Sequence, residues 1–124
     1  MPDVRTTYVY VRGLGDKMSR IKIIIKRPID EVGGLAYIEN SLENLQGIVK
    51  GCIEAVPIRD DTVIICNSDG KIRDMFFNFR LPWDDYIAGT AMVCGVSGDE
   101  FADVPITLDE WRQMLDEWKV NRRV

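Results

Sequence analysis

At 124 residues the chain is long enough for one domain with a real core and too short for two ordinary ones. Its 46% hydrophobic and 29% charged content is that of a globular chain and excludes a disordered one. A net charge of −4 argues against direct binding to a nucleic-acid backbone, because phosphate contact brings a basic surface.

Residues 6–12, TTYVYVR, are rich in β-branched and aromatic types and read as a strand. Residues 1–19 read as an N-terminal extension, with Met18 a candidate natural start, ahead of a single α+β domain over 20–124. From Arg20 to Arg27 the pattern alternates at period two, with Ile21, Ile23 and Ile25 on one face and Lys22, Ile24 and Lys26 on the other. Pro28 closes this strand or leaves it at an edge. After a Gly33-Gly34 turn, Leu35 to Glu39 form a short strand.

Asn40 to Val56 then read as a capped helix running into a strand. Asn40 is the expected N-cap, Glu43 the residue that reaches back to it, and Gly51 the left-handed cap at the far end. Leu42, Leu45, Ile48 and Val49 make the apolar face. Cys52–Ile58 and Thr62–Cys66 form a hairpin through Arg59-Asp60-Asp61. Asn67-Ser68-Asp69-Gly70 is a turn in which Asn and Asp bond their own backbone and Gly takes a positive φ. Lys71 to Leu81 read as extended, Pro82-Trp83-Asp84-Asp85 as an interruption, and Ile87 to Val96 as one strand containing Gly89 and Gly95. A glycine inside a strand marks a bulge or the close approach of a backbone or ligand. Ser97 to Ile106 is loop. Thr107 and Glu110 form a capping box, and Leu108, Trp111, Leu115 and Trp118 form a heptad-spaced stripe. That stripe docks on the chain's own sheet, against Ile53, Ile64 and Val93, or serves a homodimer. The sum is an α+β fold: a small mixed or antiparallel sheet with one central helix and one C-terminal helix.

No apolar run approaches the roughly 20 residues that span a bilayer, and the N-terminus lacks the apolar core of a signal peptide. The expectation is a cytoplasmic protein with no membrane partner. Cys52, Cys66 and Cys94 all sit in apolar stretches and read as buried reduced thiols. Histidine is absent, which removes Ser-His-Asp and Cys-His machinery and the usual zinc sites. Asp60-Asp61 and Asp84-Asp85 are paired acids able in principle to hold Mg²⁺, but each pair lies in a turn where aspartate is expected anyway. No metal site, cofactor or catalytic residue is therefore assigned. The binding candidates are Asn78, Arg80, Trp83 and Thr90, which flank the most irregular strand connection. Arg80 suits two-pronged contact with a phosphate or carboxylate, and Trp83 suits stacking on a base. The competing reading is that Asn78 and Arg80 alternate out of a strand whose Phe77 and Phe79 point inward.

The segments Leu42-Glu43-Asn44-Leu45-Gln46, Gly51-Cys52-Ile53-Glu54-Ala55-Val56, Asp69-Gly70-Lys71, Asn78-Phe79-Arg80 and Ile87-Ala88-Gly89-Thr90, in this order, resemble the family called domain of unknown function 3846, over about residues 20–115. This chain differs in its N-terminal extension and in Gly51-Cys52, where the family pattern has a Gly followed by a bulkier aromatic. The resemblance implies a compact α+β fold and a phage, mobile-element or gut-bacterial setting, with the host cytoplasm as location if phage-encoded. It carries no catalytic residues over. With that setting, the leading expectation is a non-enzymatic counter-defence protein that sequesters a nucleotide-like signal. The alternatives are an acidic inhibitor that blocks a host defence protein by direct contact, and a small metal-dependent nucleotide-processing enzyme. A homo-oligomer would enlarge the pocket available to so small a chain.

Overall fold

The computed structural model describes residues 20–120; the expected strand at 6–12 lies outside them. Within that span ten elements follow in order: β1 Arg20–Lys26, β2 Gly34–Glu39, α1 Leu42–Val49, β3 Ile53–Arg59, β4 Thr62–Asn67, β5 Phe77–Arg80, β6 Tyr86–Ala88, β7 Ala91–Ser97, β8 Glu100–Ala102 and α2 Leu108–Val120. The main sheet runs β2-β1-β7-β4-β3, with β8 paired to β7, and β5 and β6 form a separate two-stranded ribbon. Every pairing among the described residues is antiparallel. The expected α+β class, with one central and one C-terminal helix, is what the chain adopts.

Period-two alternation is what lets one sheet serve two layers. Val93 in β7 stands between Ile24 of β1 and Ile64 of β4. These three share a core with Trp111, Leu115 and Trp118 of α2 and with Phe79 and Ile87 of the ribbon. On the opposite face Met92 joins Ile21, Ile23, Ile65 and the α1 residues Leu45 and Val49. The stripe on α2 thus docks on the chain's own sheet, led by Trp111 with no exposed surface. Ile53 is the exception to the expected contact set: it lies on the α1 face and not under the tryptophans. The capping box is as expected, with Glu110 N donating to Thr107 Oγ1 at 3.0 Å and Thr107 N to Glu110 Oε1 at 2.8 Å.

Both ends of α1 differ from expectation by one residue. Ser41 is the N-cap, its Oγ accepting from Asn44 N at 3.2 Å. Asn40 is buried and spends its side-chain amide on the Phe101 carbonyl at 3.2 Å, tying the helix start to β8. At the other end Lys50, not Gly51, is left-handed, with φ 68°. Gly51 follows with φ 153°, a value that side chains rarely adopt, and a Cβ there would lie 2.7 Å from Asn67 Nδ2. That amide donates to the Val49 and Lys50 carbonyls and so closes the helix.

The region between β4 and β7 departs most from the sequence-based expectation. Residues 68–74 are turn and not strand, so the expected extended run survives only as β5. Asn67 Oδ1 does accept from Asp69 N, at 2.7 Å, but the left-handed residue is Asp74 and not Gly70. The single strand expected over Ile87–Val96 is two strands, β6 and β7, broken at Gly89-Thr90. Gly89 has φ 83°, and a Cβ on it would meet Met75 Sδ at 2.8 Å. The glycine serves this crossing between ribbon and sheet, and Met75 stands beside it. At Gly95 the Asp103 carbonyl approaches, so a neighbouring backbone and not a bulge explains that glycine. Ser97–Ile106 likewise contains a short strand, β8.

Candidate functional site

The ribbon is where ordinary alternation fails. Phe77 pairs with Ala88 and Phe79 with Ile87, so the register slips by one residue between them. Such a slip re-aims the side chains that follow it. Phe77 therefore faces out, 53% exposed, while Asn78 and Phe79 are both buried. The expected pairing of inward Phe77 with outward Asn78 is reversed. Arg80 lies directly across from Tyr86.

Asn78 is fully engaged inside the protein. Its Nδ2 donates to the Lys26 carbonyl at 2.8 Å and to the Gly89 carbonyl at 2.7 Å. Its Oδ1 accepts from Lys26 Nζ at 2.7 Å. That ammonium also donates to the Asp30 carbonyl at 2.7 Å and the Arg27 carbonyl at 3.5 Å, and lies 5.8 Å from the Phe79 ring centre. Burial pushes the Lys26 pKa down, Asp30 opposes that shift and Lys119 adds to it. Asp30 in turn carries a two-pronged contact with Arg27, whose guanidinium holds the carboxyl below its ordinary range.

Around this buried knot opens a cleft of about 550 Å³ between β5, the turn after β1 and the end of α2. Lys26, Arg80 and Lys119 line it, with the carboxylates of Asp30 and Glu31 and the exposed ring of Phe77. Three cations against two carboxylates give a local excess of positive charge in a chain whose net charge is −4. Arg80 is held loosely. Its Nη2 lies 3.8 Å from Asp84 Oδ1, on an aspartate that is fully in water, and its Nε is buried with no hydrogen-bond acceptor. Exposed ion pairs of this kind contribute little. Lys119 makes no hydrogen bond or ion pair among the described residues. A guanidinium and an ammonium so placed can receive a phosphate, and Phe77 can carry a flat ring beside it.

The four candidate residues are not brought to one point. Asn78 and Arg80 line this cleft, whereas Trp83 lines a second cavity on the other side of Tyr86. Thr90 lines neither and sits in the link between β6 and β7. Sequence reasoning missed Phe77, Lys119 and Tyr86. Only the register slip turns Phe77 outward, and only the docking of α2 brings Lys119 to β5. The paired acids are occupied in turns: Asp61 Oδ1 accepts from Thr62 Oγ1 at 2.8 Å, and Asp85 takes Lys71 and the Tyr86 backbone N–H. Among the described residues no group of three or more His, Cys, Asp and Glu side chains converges as metal ligands would. No helix among them is long and apolar enough to cross a membrane.

A family model described as "Domain of unknown function (DUF3846)" matches residues 21–116. No curated protein and no solved structure matches the chain.

Proposed function

The chain belongs to the DUF3846 family, whose description assigns no activity, and from the cleft itself we propose that it is a non-catalytic binding protein that sequesters a nucleotide-like ligand. The observation that carries this reading is Arg80: a guanidinium lining a cleft beside an exposed aromatic ring, its Nη2 only 3.8 Å from the carboxylate of a fully exposed aspartate. The strong charge-assisted partner of a guanidinium end so loosely held is a phosphate. The cleft volume falls within the roughly 300–1,000 Å³ of small-molecule pockets. In a phage or mobile-element setting, which the sequence resemblance implies, capture of a signalling nucleotide in the host cytoplasm serves counter-defence.

The test is calorimetric titration of the chain with mono-, di- and cyclic nucleotides. Removing an arginine that bonds a phosphate weakens binding by about 1.5–3 kcal/mol, so Arg80→Ala lowers affinity at least about tenfold with an unchanged melting temperature. If the wild type binds none of these compounds, the reading fails and direct blocking of a host protein takes its place. Phe76 and Ile72, 81% and 83% exposed beside the ribbon, are the surface that such contact would use. Metal-dependent turnover of a nucleotide would instead establish the enzyme alternative. If Arg80→Ala unfolds the domain, Arg80 is a structural residue.

A further inference from the structure

The second cavity is built differently from the cleft. It holds about 220 Å³ where β3 begins and β4 ends, against the 68–72 turn and the β5–β6 turn. Its floor is apolar, made by the buried residues Val56, Cys66, Leu81 and Ile87. Its mouth carries Trp83 and Ile72, 45% and 83% exposed. Tyr86 forms a fixed wall: its ring centre lies 5.7 Å from that of Phe77 and 4.7 Å from Lys71 Nζ, and Lys71 is paired with Asp85.

We propose that this cavity is a second subsite of the cleft, taking one nucleobase of a dinucleotide whose other base lies on Phe77 and whose phosphates lie at Arg80. The inference rests on the nucleotide reading above and narrows it to a ligand class. Three observations carry it. The cavity is smaller than the roughly 300–1,000 Å³ that enclose a whole ligand, so it houses one ring of a larger molecule. It adjoins the cleft across a partition of two rings, Phe77 lining the cleft and Tyr86 the cavity with their centres 5.7 Å apart, so a ligand occupying both passes over that pair. Arg80 lies at the junction, directly across the ribbon from Tyr86, where opposed residues have Cβ atoms about 4.5–5.5 Å apart. The chemistry of the rim suits a base. Trp83 and Ile72 offer apolar surface for a ring to cover, while the Lys71 ammonium donates and the Asp85 carboxylate accepts, as the mixed edge of a nucleobase requires.

The experiment titrates the full chain by calorimetry with 5′-AMP and 5′-GMP and with the linear dinucleotides pApA and pGpG. At least one dinucleotide binds tenfold or more tightly than its mononucleotide. Trp83→Ala, and separately Ser68→Trp, which fills the cavity from an exposed position, reduce the dinucleotide to within twofold of the mononucleotide and leave mononucleotide affinity unchanged. Equal affinity for mono- and dinucleotides in the wild type, still dependent on Arg80, overturns the second subsite and leaves the nucleotide reading standing. The second subsite is overturned in the same way if both variants keep the dinucleotide advantage, or if they weaken both ligands equally. Absence of binding to all four compounds overturns the dinucleotide proposal, and extending that absence to the wider nucleotide panel overturns the parent reading as well.

Discussion

Lys26 and Asn78 hold each other at both ends: the Lys26 ammonium donates to Asn78 Oδ1 at 2.7 Å, and Asn78 Nδ2 donates back to the Lys26 carbonyl at 2.8 Å. Both side chains are buried, 52 residues apart in sequence. The exchange ties β1 of the main sheet to β5 of the ribbon, and the bond to the Gly89 carbonyl adds the link into β7. This clamp fixes the back wall of the cleft.

Asn78→Ala removes one acceptor from a buried ammonium and one donor from two carbonyls. The expected cost is about 1.5–3 kcal/mol or somewhat more, since bonds to a buried charge are among the stronger ones. The pH dependence has a definite sign. The folded pKa of Lys26 already lies below its ordinary value because burial disfavours the charge. Losing the Asn78 acceptor lowers it further. The unfolded value is common to both chains, so the variant's deficit is largest below its own folded Lys26 pKa, shrinks as pH rises from there to the wild-type folded pKa, and is constant above it. Urea titrations at neutral and alkaline pH read this directly. A deficit that grows with pH contradicts the clamp.

Trp111 has no exposed surface, packs edge-on to Phe79 and Trp118 at 5.3 and 5.7 Å, and donates its Nε1 to the Val32 carbonyl at 3.0 Å. Trp111→Ala is expected to destabilise by about 3–5 kcal/mol. Chemical denaturation measures it. A loss under about 1 kcal/mol accompanied by reduced self-association would place the ring at an interface between copies.

The three cysteines separate into two classes. Cys66 and Cys94 are buried, and burial pushes the Cys94 thiol far above its ordinary pKa. Cys52 is exposed at the join between α1 and β3, not buried as its apolar neighbours suggest. A thiol probe labels Cys52 in the native protein and reaches Cys66 and Cys94 only after denaturation, because the thiolate must be both formed and accessible. Mass spectrometry of the labelled chain counts the adducts; more than one under native conditions means that the sheet opens.

The cap of α1 is tested by comparing two neighbours. Ser41→Ala removes the side-chain acceptor for Asn44 N and is expected to cost about 1 kcal/mol. Asn40→Ala removes no cap and instead frees the Phe101 carbonyl at the sheet. Amide exchange separates them: the serine variant loses protection in the first turn of α1, the asparagine variant in β8.

Much of this architecture is local and therefore legible in the chain. The Ile21–Lys26 alternation, the Thr107–Glu110 box and the Leu108–Trp118 stripe each follow from the geometry of one element, so periodicity and capping chemistry suffice to place them. The choice of cap at Ser41 over Asn40 does not follow, because both residue types cap equally well and the decision falls to Phe101, 61 residues from Asn40, which takes the Asn40 amide. The candidate site is legible only in part for the same reason. Arg80 and Trp83 stand out as residue types, but a one-residue slip in the ribbon sends Phe77 out and Asn78 in, and no local pattern encodes it. The two cavities, the junction at Arg80 and the approach of Lys119 exist because α2 and the ribbon pack against one face of the sheet. Contacts between distant segments are settled by packing the whole core at once, and a residue's own neighbours in sequence carry no trace of them.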